Sequence, residues 1–255
     1  MSTIRKKALL VGINYRNTES ELNGCINDII NMKDVLITKF GYSIDDITVI
    51  TDDTEIKPTR YNILTTLLNL LLETNSNLYF HYSGHGRQTL DLNGDESDKL
   101  DEGLVPIDYE KKGIITDDEI RGLLNCLAIS SRLTIVLDCC HSGTGVDLCY
   151  NLYERIGKYY LLEDPSYKYG KTNGSVVCIS GCMDSQTSAD AYINKQYQGA
   201  LTNALISGIN TLSTKTRTLN NLYSHIKNTL QQGKYTQIPC LSSGTNININ
   251  AIYTV

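Results

Sequence analysis

The chain has 255 residues, of which 41% are hydrophobic and 20% are charged. These proportions are typical of a folded globular protein and exclude an intrinsically disordered one. The net charge of −5 argues against nucleic acid and anionic membranes as main partners. The sequence shows no signal peptide, and no apolar run approaches the roughly 20 residues needed to span a bilayer. The eight cysteines include no C-x-x-C pair, so we expect a cytoplasmic protein with reduced thiols.

Strands and helices are predicted to alternate along most of the chain. Apolar runs rich in β-branched residues predict strands at 7–13, 46–51, 77–86, 133–137, 176–180 and 236–243. Apolar residues at helical spacing predict helices at 22–40, 59–73, 117–127, 198–211 and 219–231. This order predicts an α/β fold in which helices cover both faces of a largely parallel sheet.

Polar stretches separate the strand at 77–86 from the helix at 117–127. Residues 88–102 are acidic and predict a loop, and residues 105–108 and 113–116 predict a small hairpin. The tetrapeptide Thr116-Asp-Asp-Glu119 is a capping box, which predicts that a helix begins directly after Thr116.

The stretch 148–174 interrupts the alternation. It is rich in Tyr, Lys and Gly and has no clear periodicity, so it predicts a long excursion or linker. We therefore expect a single domain over 1–255. A larger part at 1–147 and a smaller part at 175–255 would lie on either side of the linker.

Two predicted strands end in reactive side chains. The strand at 77–86 ends in Ser-Gly-His85-Gly86, and the strand at 133–137 is followed by Asp-Cys-Cys140-His-Ser-Gly. Neighbouring parallel strands end at one edge of a sheet, where His85 would support a reactive Cys140 thiolate and later protonate a leaving amine. The N–H groups of Gly86 and Cys140 would form an oxyanion hole. A simpler interpretation is a glycine-rich turn beside a buried pair of cysteines.

Six motifs decide between these interpretations. They are Gly24-Cys-Ile-Asn-Asp28, His81-Tyr-Ser-Gly-His-Gly86, Asp101-Glu-Gly-Leu-Val-Pro-Ile-Asp108, Asp138-Cys-Cys-His-Ser-Gly143, Gly181-Cys-Met-Asp-Ser-Gln-Thr-Ser-Ala-Asp190 and Tyr235-Thr-Gln-Ile-Pro-Cys-Leu-Ser-Ser243. In this order they resemble the metacaspases, caspase-fold cysteine peptidases that cleave after Arg or Lys. The resemblance covers nearly the whole chain and implies a caspase-like three-layer sandwich. It is closest to a type I-like catalytic core without a prodomain.

The resemblance assigns roles to residues in these motifs. Cys140 is then the nucleophile and His85 the base, and protein or peptide substrates would carry Arg or Lys before the scissile bond. The positions that match the family's primary specificity pocket are Cys25, Asp28, Ser83 and Asp138. Two carboxylates in a pocket would hold a guanidinium through charge-assisted hydrogen bonds. Taken singly, Asp28 also fits a solvated helix position, and Asp138 fits a cap of the turn after its strand.

The resemblance also implies activation by Ca²⁺. The carboxylates that match the family's calcium ligands are Asp101, Asp117, Asp118 and Asp147. Ca²⁺ takes about six to eight oxygen ligands and would neutralise carboxylates that otherwise repel one another. Asp117 and Asp118 have a simpler explanation as well, because acidic residues in the first turn stabilise a helix. An EF-hand at 91–102 is rejected because Glu96 stands where that loop requires glycine.

Basic residues in the stretch 148–174 are candidates for self-cleavage, since a peptidase specific for Arg and Lys would recognise them. They are Arg155, Lys158, Lys168 and Lys171. The simpler interpretation is an ordinary basic surface loop.

Two other functions stay open. A calcium-independent, paracaspase-like peptidase would have the same fold, although the four aspartates above argue against it. A caspase-like interaction module without activity is disfavoured by the presence of His85 and Cys140. The resemblance implies a monomer, because metal binding instead of dimerisation would order the active-site loops.

Overall fold

A computed structural model of the chain describes residues 4–90, 100–139, 146–165, 167–181, 190–193, 196–235 and 237–255. Its strands are β1 (Arg5–Gly12), β2 (Ile47–Thr51), β3 (Ser76–Ser83), β4 (Gly86–Leu90), β5 (Leu100–Leu104), β6 (Ile115–Thr116), β7 (Arg132–Asp138), β8 (Tyr150–Arg155), β9 (Lys158–Glu163), β10 (Ser175–Ser180), β11 (Asp190–Ile193), β12 (Gln196–Gly199) and β13 (Cys240–Ser243). Its helices are α1 (Cys25–Phe40), α2 (Arg60–Leu71), α3 (Tyr109–Lys112), α4 (Asp117–Leu124), α5 (Ala200–Thr211) and α6 (Leu219–Gln232).

The centre of the fold is an eight-stranded sheet in the order β2-β1-β3-β7-β10-β13-β8-β9. The five strands from β2 to β10 run parallel to one another. Strand β13 is antiparallel to β10, and β8 and β9 extend the sheet by further antiparallel pairs. The predicted, mostly parallel sheet is therefore confirmed.

Each central strand supplies two hydrophobic cores, because successive side chains point to opposite faces of a sheet. In β1, Leu10 belongs to the core under α1, α5 and α6, whereas Leu9 belongs to the core under α2 and α4. Both leucines are fully buried, and each such side chain contributes roughly 1.5–3 kcal/mol to folding. Helices on both faces of one sheet give the three-layer α/β sandwich that the sequence predicts.

Local signals fix the ends of two helices where the sequence places them. Helix α1 ends at Phe40 because Gly41 adopts a left-handed conformation, with φ of 71°. Helix α4 begins after Thr116, whose side chain accepts from the backbone N–H of Glu119 in the predicted capping box. None of the helices in the described ranges has both the length and the apolar character that crossing a bilayer requires.

The predicted loop at 88–102 and hairpin at 105–116 are wrong in part. Strands β4 and β5 form an antiparallel pair that reaches into the loop from both ends, and β6 pairs with β5. The segment between β5 and β6 contains the short helix α3 instead of a hairpin turn. Strands this short carry too few residues to show an alternating pattern, which explains the error.

The stretch 148–174, predicted as an excursion or linker, contains two strands of the main sheet. Strand β8 pairs with β13 and β9 pairs with β8, so β9 is an outer edge of the sheet. Tyr153 and Tyr160 face each other across this hairpin, and both are exposed. Leu152, Tyr159 and Leu161 pack against the core, but apolar residues such as Tyr153 and Tyr160 also occupy the exposed face, so the sequence shows no clear alternation.

Candidate active site

The carboxyl ends of three central strands lie level with one another. Ser83, the last residue of β3, pairs with Gly12 of β1 and with Asp138 of β7. The backbone N–H of Gly84 donates to the carbonyl of Asp138 (3.3 Å). His85 therefore follows a strand that ends beside the strand leading to Cys140. Cys140 itself, with the rest of 140–145, lies outside the described residues.

The imidazole of His85 is held by the loop between β1 and α1. Its Nε2 lies 2.8 Å from the carbonyl oxygen of Ser20. A carbonyl oxygen can only accept, so Nε2 carries the proton and Nδ1 is the nitrogen with a free lone pair. The ring also packs on Tyr15, with 4.7 Å between ring centroids. This arrangement gives His85 one defined tautomer, with Nδ1 available as a base.

A cavity of about 210 Å³ opens beside His85. The residues that line it are Tyr15, Ser20, His85, Gly86, Arg87, Val105 and Tyr109. Gly86 begins β4 and pairs with Leu104 of β5. Its predicted oxyanion-hole partner, Cys140, is outside the described residues.

The backbone of His85 rests on two buried tyrosines. Its N–H donates to Tyr15 Oη (3.0 Å), and its carbonyl accepts from Tyr82 Oη (2.9 Å). Burial raises the pKa of Tyr15 and of Tyr82 well above the ordinary tyrosine value, so both hydroxyls stay protonated. A Cβ on Gly84 would lie only 2.7 Å from Tyr82 Oη and 3.0 Å from Tyr15 Oη. The glycine that precedes His85 is thus required by these two hydroxyls.

Three of the predicted pocket residues meet in the structure. Ser83 Oγ donates to Asp28 Oδ2 (2.6 Å), which joins the end of β3 to the first turn of α1. Asp28 and Asp138 are 0% and 2% exposed. Cys25, at the start of α1, is also buried. Two carboxylates removed from water to this degree require strong donors or a cation nearby.

The N-terminus of α5 supplies donors to both carboxylates. The N–H of Gly199 donates to Asp28 Oδ1 and Oδ2 (2.9 and 3.0 Å), and the N–H of Thr202 donates to Asp138 Oδ2 (2.8 Å). A Cβ on Gly199 would overlap with Asp138 Oδ2 and lie 2.8 Å from Asp28 Oδ2. The two carboxylates therefore converge on one glycine, at the positive end of a helix dipole.

His81 contacts this arrangement through the side chain of Thr202. Its side chain is fully buried, and its Nε2 lies 3.1 Å from Thr202 Oγ1. Burial lowers the pKa of His81 to about 3, so the imidazole is neutral at physiological pH. Sequence reasoning missed Gly199, Thr202 and His81. The contacts of Gly199 and Thr202 bridge 171 and 64 residues of sequence, respectively. Among these three residues, only Gly199 has a sequence signal, because it is a glycine directly before the helix at 200–211.

The predicted calcium ligands do not converge in the same way. The carboxylate of Asp117 accepts from the N–H groups of Glu102 (3.1 Å) and Asp118 (3.0 Å). Glu102 directly follows Asp101 in β5. Asp101 and Asp117 are buried. In the described part of the chain, no three His, Cys, Asp or Glu side chains come together as a metal site.

A small network connects Asp118 with Asp147. Tyr169 Oη donates to Asp118 Oδ1 (2.6 Å), and Tyr167 Oη donates to the carbonyl of Asp147 (2.7 Å). Arg121 is buried in α4, donates to Tyr167 Oη (2.8 Å) and stacks over the ring of Tyr169. The oxygen donors of this region have the chemistry that Ca²⁺ prefers. To bind the ion, Asp117 and Asp118 would have to share or give up the N–H and O–H donors that they now hold.

The predicted self-cleavage residues differ in their surroundings. Arg155 and Lys158 face each other at the end of the β8–β9 hairpin. Lys171 forms an ion pair with Glu163 (3.5 Å) and lies over the ring of Tyr150. Lys168 is exposed and lies outside the strands, between Tyr167 and Tyr169.

Comparison with known proteins gives consistent matches. The family model described as "Metacaspase, peptidase C14 domain" matches residues 6–149. The chain is 36% identical to Metacaspase-1B of Neurospora crassa, over 98% of this chain and 69% of that protein. It is also 36% identical to Metacaspase-1 of Meyerozyma guilliermondii, over 96% of this chain and 71% of that protein. Metacaspase-1 of Botryotinia fuckeliana shows the same identity over 99% and 71%.

A solved structure shares the architecture. Protein GSU0716 of Geobacter sulfurreducens matches with a TM-score of 0.67 and 22% identity, over 96% of this chain and 95% of that chain. At this identity the match bears on the fold alone.

Proposed function

This chain belongs to the metacaspase family of cysteine peptidases, and we propose that it is a calcium-activated endopeptidase that cleaves after Arg and Lys. Membership of the family makes proteins its substrates. The preference for Arg and Lys, the role of calcium, self-processing and a cytoplasmic location are parts of the proposal. The observation that carries the preference is the convergence of Asp28 and Asp138 on Gly199.

Catalysis would proceed through Cys140 and His85. The Cys140 thiolate attacks the carbonyl carbon of the residue before the scissile bond, and an N–H at Gly86 or Cys140 stabilises the oxyanion. His85 gives its proton to the leaving amine as the C–N bond breaks and a thioester remains on Cys140. His85 then takes a proton from water, which attacks the thioester and releases the carboxylate product and the thiol. The hydrogen bond from His85 Nε2 to Ser20 leaves Nδ1 as the nitrogen that can exchange a proton with Cys140, which supports this role.

Specificity for Arg and Lys would come from the charge of the pocket. A guanidinium or ammonium group offers several N–H donors, and a pair of carboxylates accepts them with charge-assisted hydrogen bonds. The helix N-terminus and Ser83 hold these carboxylates before substrate arrives. Pre-oriented acceptors lose little freedom on binding, which favours affinity. An acidic side chain would be rejected by the same two charges.

Activation by calcium would act through Asp101, Asp117, Asp118 and Asp147. When bound, Ca²⁺ supplies positive charge that would hold these carboxylates together. Asp147 follows Cys140 by seven residues in the sequence, so a bound ion would restrain the segment that carries the nucleophile. The backbone of Asp147 has φ of 45°, which is uncommon for a non-glycine residue, and its carbonyl accepts from Tyr167.

Self-processing would use Lys168 before the other basic residues. A peptidase binds its substrate as an extended segment, so a residue that is paired in a strand must first leave its sheet. Arg155 and Lys158 are in paired strands, whereas Lys168 is exposed and outside them. The variant Lys168→Gln should therefore slow self-cleavage, and Arg155→Gln serves as the matched control. Equal processing in the two variants would contradict the choice of Lys168.

The proposal also includes a cytoplasmic location and a monomeric assembly. The cysteines in the described residues are reduced, which fits the reducing cytoplasm. We propose that the active enzyme is a monomer. Size-exclusion chromatography of active enzyme at several concentrations tests the monomer.

The proposed function is tested by covalent labelling. A peptide acyloxymethyl ketone ending in Arg loses its carboxylate when a thiolate attacks, and leaves a stable thioether. Mass spectrometry of the protein incubated with Ca²⁺ should find the label on Cys140, and none with the matching Asp reagent. Cys139→Ala should still be labelled. Labelling of Cys139 in place of Cys140, or equal labelling by the Asp reagent, would contradict the proposal.

A further inference from the structure

Tyr15 combines two uncommon properties. It is a bulky side chain with φ of 51°, in the left-handed region that such residues rarely adopt, and it is only 2% exposed. The surrounding loop maintains this conformation, because Thr18 donates to the carbonyl of Tyr15 from its N–H (3.2 Å) and its Oγ1 (2.7 Å). Strain of this kind persists where neighbouring contacts over-determine it, often at functional sites.

The hydroxyl of Tyr15 joins three parts of the chain. It accepts from the N–H of His85 (3.0 Å) and donates to the carbonyl of Val105 (2.6 Å). Tyr82 Oη lies 3.0 Å away and is within hydrogen-bond distance of the carbonyls of His85 (2.9 Å) and Val105 (3.0 Å). Because Tyr15 already donates to the carbonyl of Val105, Tyr82 donates its proton to the carbonyl of His85. Each hydroxyl has one proton, so the backbone of His85 is held at its N–H by Tyr15 and at its carbonyl by Tyr82.

The same loop also contacts the imidazole. The ring of Tyr15 packs on the ring of His85, and five residues later the carbonyl of Ser20 accepts from Nε2. A single loop thus restrains the backbone, the ring plane and the tautomer of His85.

We propose that Tyr15 is a positioning residue for His85, and that its hydroxyl and ring hold the imidazole so that Nδ1 is directed to the nucleophile. This inference rests on the proposed function, in which His85 is the base for Cys140. A purely structural tyrosine would contribute to stability without affecting proton transfer. A positioning tyrosine affects the rate of the chemical step more than substrate binding, because small displacements of a base reduce its efficiency.

The test compares three variants of the full chain. Tyr15→Phe removes the hydroxyl and keeps the ring. Tyr223→Phe is the matched control, because Tyr223 lies in α6, away from His85. Tyr223 is also buried, and its hydroxyl donates to the carbonyl of Pro239 (2.8 Å). His85→Ala reports the full loss of the base. For each, kcat and KM are measured on an Arg peptide. The rate of Cys140 alkylation by iodoacetamide is followed by peptide mass spectrometry, and the Tm is recorded.

We expect Tyr15→Phe to lower kcat by about tenfold to a hundredfold while KM stays within about twofold. Alkylation of Cys140 should slow in Tyr15→Phe and in His85→Ala, and stay unchanged in Tyr223→Phe even if its Tm falls equally. The inference is overturned if Tyr15→Phe keeps the kcat and alkylation rate of the wild type while His85→Ala slows both. Alkylation needs no peptide hydrolysis, so it decides the role of Tyr15 even if the proposed substrate preference is wrong. Normal alkylation in His85→Ala would reject the dyad, and the inference with it.

Discussion

Two groups of carboxylates in this molecule are organised in different ways. Asp28 and Asp138 are fully buried and converge on the N-terminus of α5, next to Ser83 at the end of β3. The group formed by Asp101, Asp117, Asp118 and Asp147 is spread over β5, the start of α4 and the segment after β7. Asp117 and Asp118 accept from separate donors, and the group forms no common metal site in the described residues.

The difference follows from what positions each group. Parallel strands in register bring Ser83 and Asp138 to one edge, and the N-terminus of α5 orients the carboxylates of Asp28 and Asp138 before any ligand arrives. The second group instead lies on a short strand, the first turn of a helix and an irregular segment. We infer that the pocket is preorganised, whereas the acidic group needs a cation to bring it together. The predictions below test this contrast.

The largest effect is expected from the pocket. Asp138→Ala removes one of two buried carboxylates that would pair with the guanidinium of a bound Arg. Breaking a buried ion pair costs roughly 3–5 kcal/mol, so kcat/KM for an Arg peptide should fall by at least about 100-fold. Steady-state kinetics measure the loss, with Asp34→Ala on the exposed side of α1 as control. Full activity of Asp138→Ala on Arg peptides would remove Asp138 from the pocket.

A smaller effect is expected from the acidic group. Asp147→Ala should raise the Ca²⁺ concentration for half-maximal activity by about tenfold or more, because it removes one of few charged ligands. Calcium titrations of peptide hydrolysis measure this shift, and exposed Asp45→Ala is the control. An unchanged calcium dependence would exclude Asp147 from the site.

The buried His81 should make the stability of the folded protein depend on pH. Its pKa is lowered to about 3 by burial, whereas a histidine in the unfolded chain titrates near 6.5. Between these values the unfolded chain binds a proton that the folded chain does not. Stability should therefore fall as the pH decreases below about 6.5, by about 1.4 kcal/mol per pH unit from this group. Urea unfolding between pH 7 and 5 should show a shallower decrease in His81→Gln, and an equal decrease would refute the assignment.

The smallest effect is expected from Tyr169, which donates a hydrogen bond to Asp118 of the acidic group. Tyr169→Phe removes the donor to Asp118 Oδ1, so Ca²⁺ would no longer compete with that hydrogen bond. Apparent calcium affinity should rise by about twofold to tenfold, the range set by one hydrogen bond of net 0.5–1.5 kcal/mol. Isothermal titration calorimetry with Cys140→Ala avoids self-cleavage. A weaker affinity would mean that Tyr169 supports the calcium-bound state instead.

Much of this architecture is predictable from sequence because it is built on strong periodic signals. The strands that end at Ser83 and Asp138 are apolar and buried, and the capping box at Thr116 marks α4 correctly. The strands at 150–163 escape prediction because tyrosines occupy their exposed face as well as their buried face, which hides the alternation. The sequence there resembles a basic loop.

The site is predictable only in part for a different reason. Motifs identify Asp28 and Asp138, but the donors that orient them lie at Gly199 and Thr202, far away in the chain. The positive φ of Tyr15 has no sequence signal, since tyrosine rarely adopts it. Such contacts arise from tertiary packing, which local patterns do not encode.

Hydrolysis of matched fluorogenic peptides ending in Arg, Lys or Asp, with Ca²⁺ titrated and Cys140→Ala as control, tests the central claim most directly. We predict calcium-dependent release from the Arg and Lys peptides alone, and none with the variant. Release from the Asp peptide, or activity that survives in Cys140→Ala, would contradict the account. Equal hydrolysis of the Arg peptide with and without Ca²⁺ would keep the pocket and reject the calcium site.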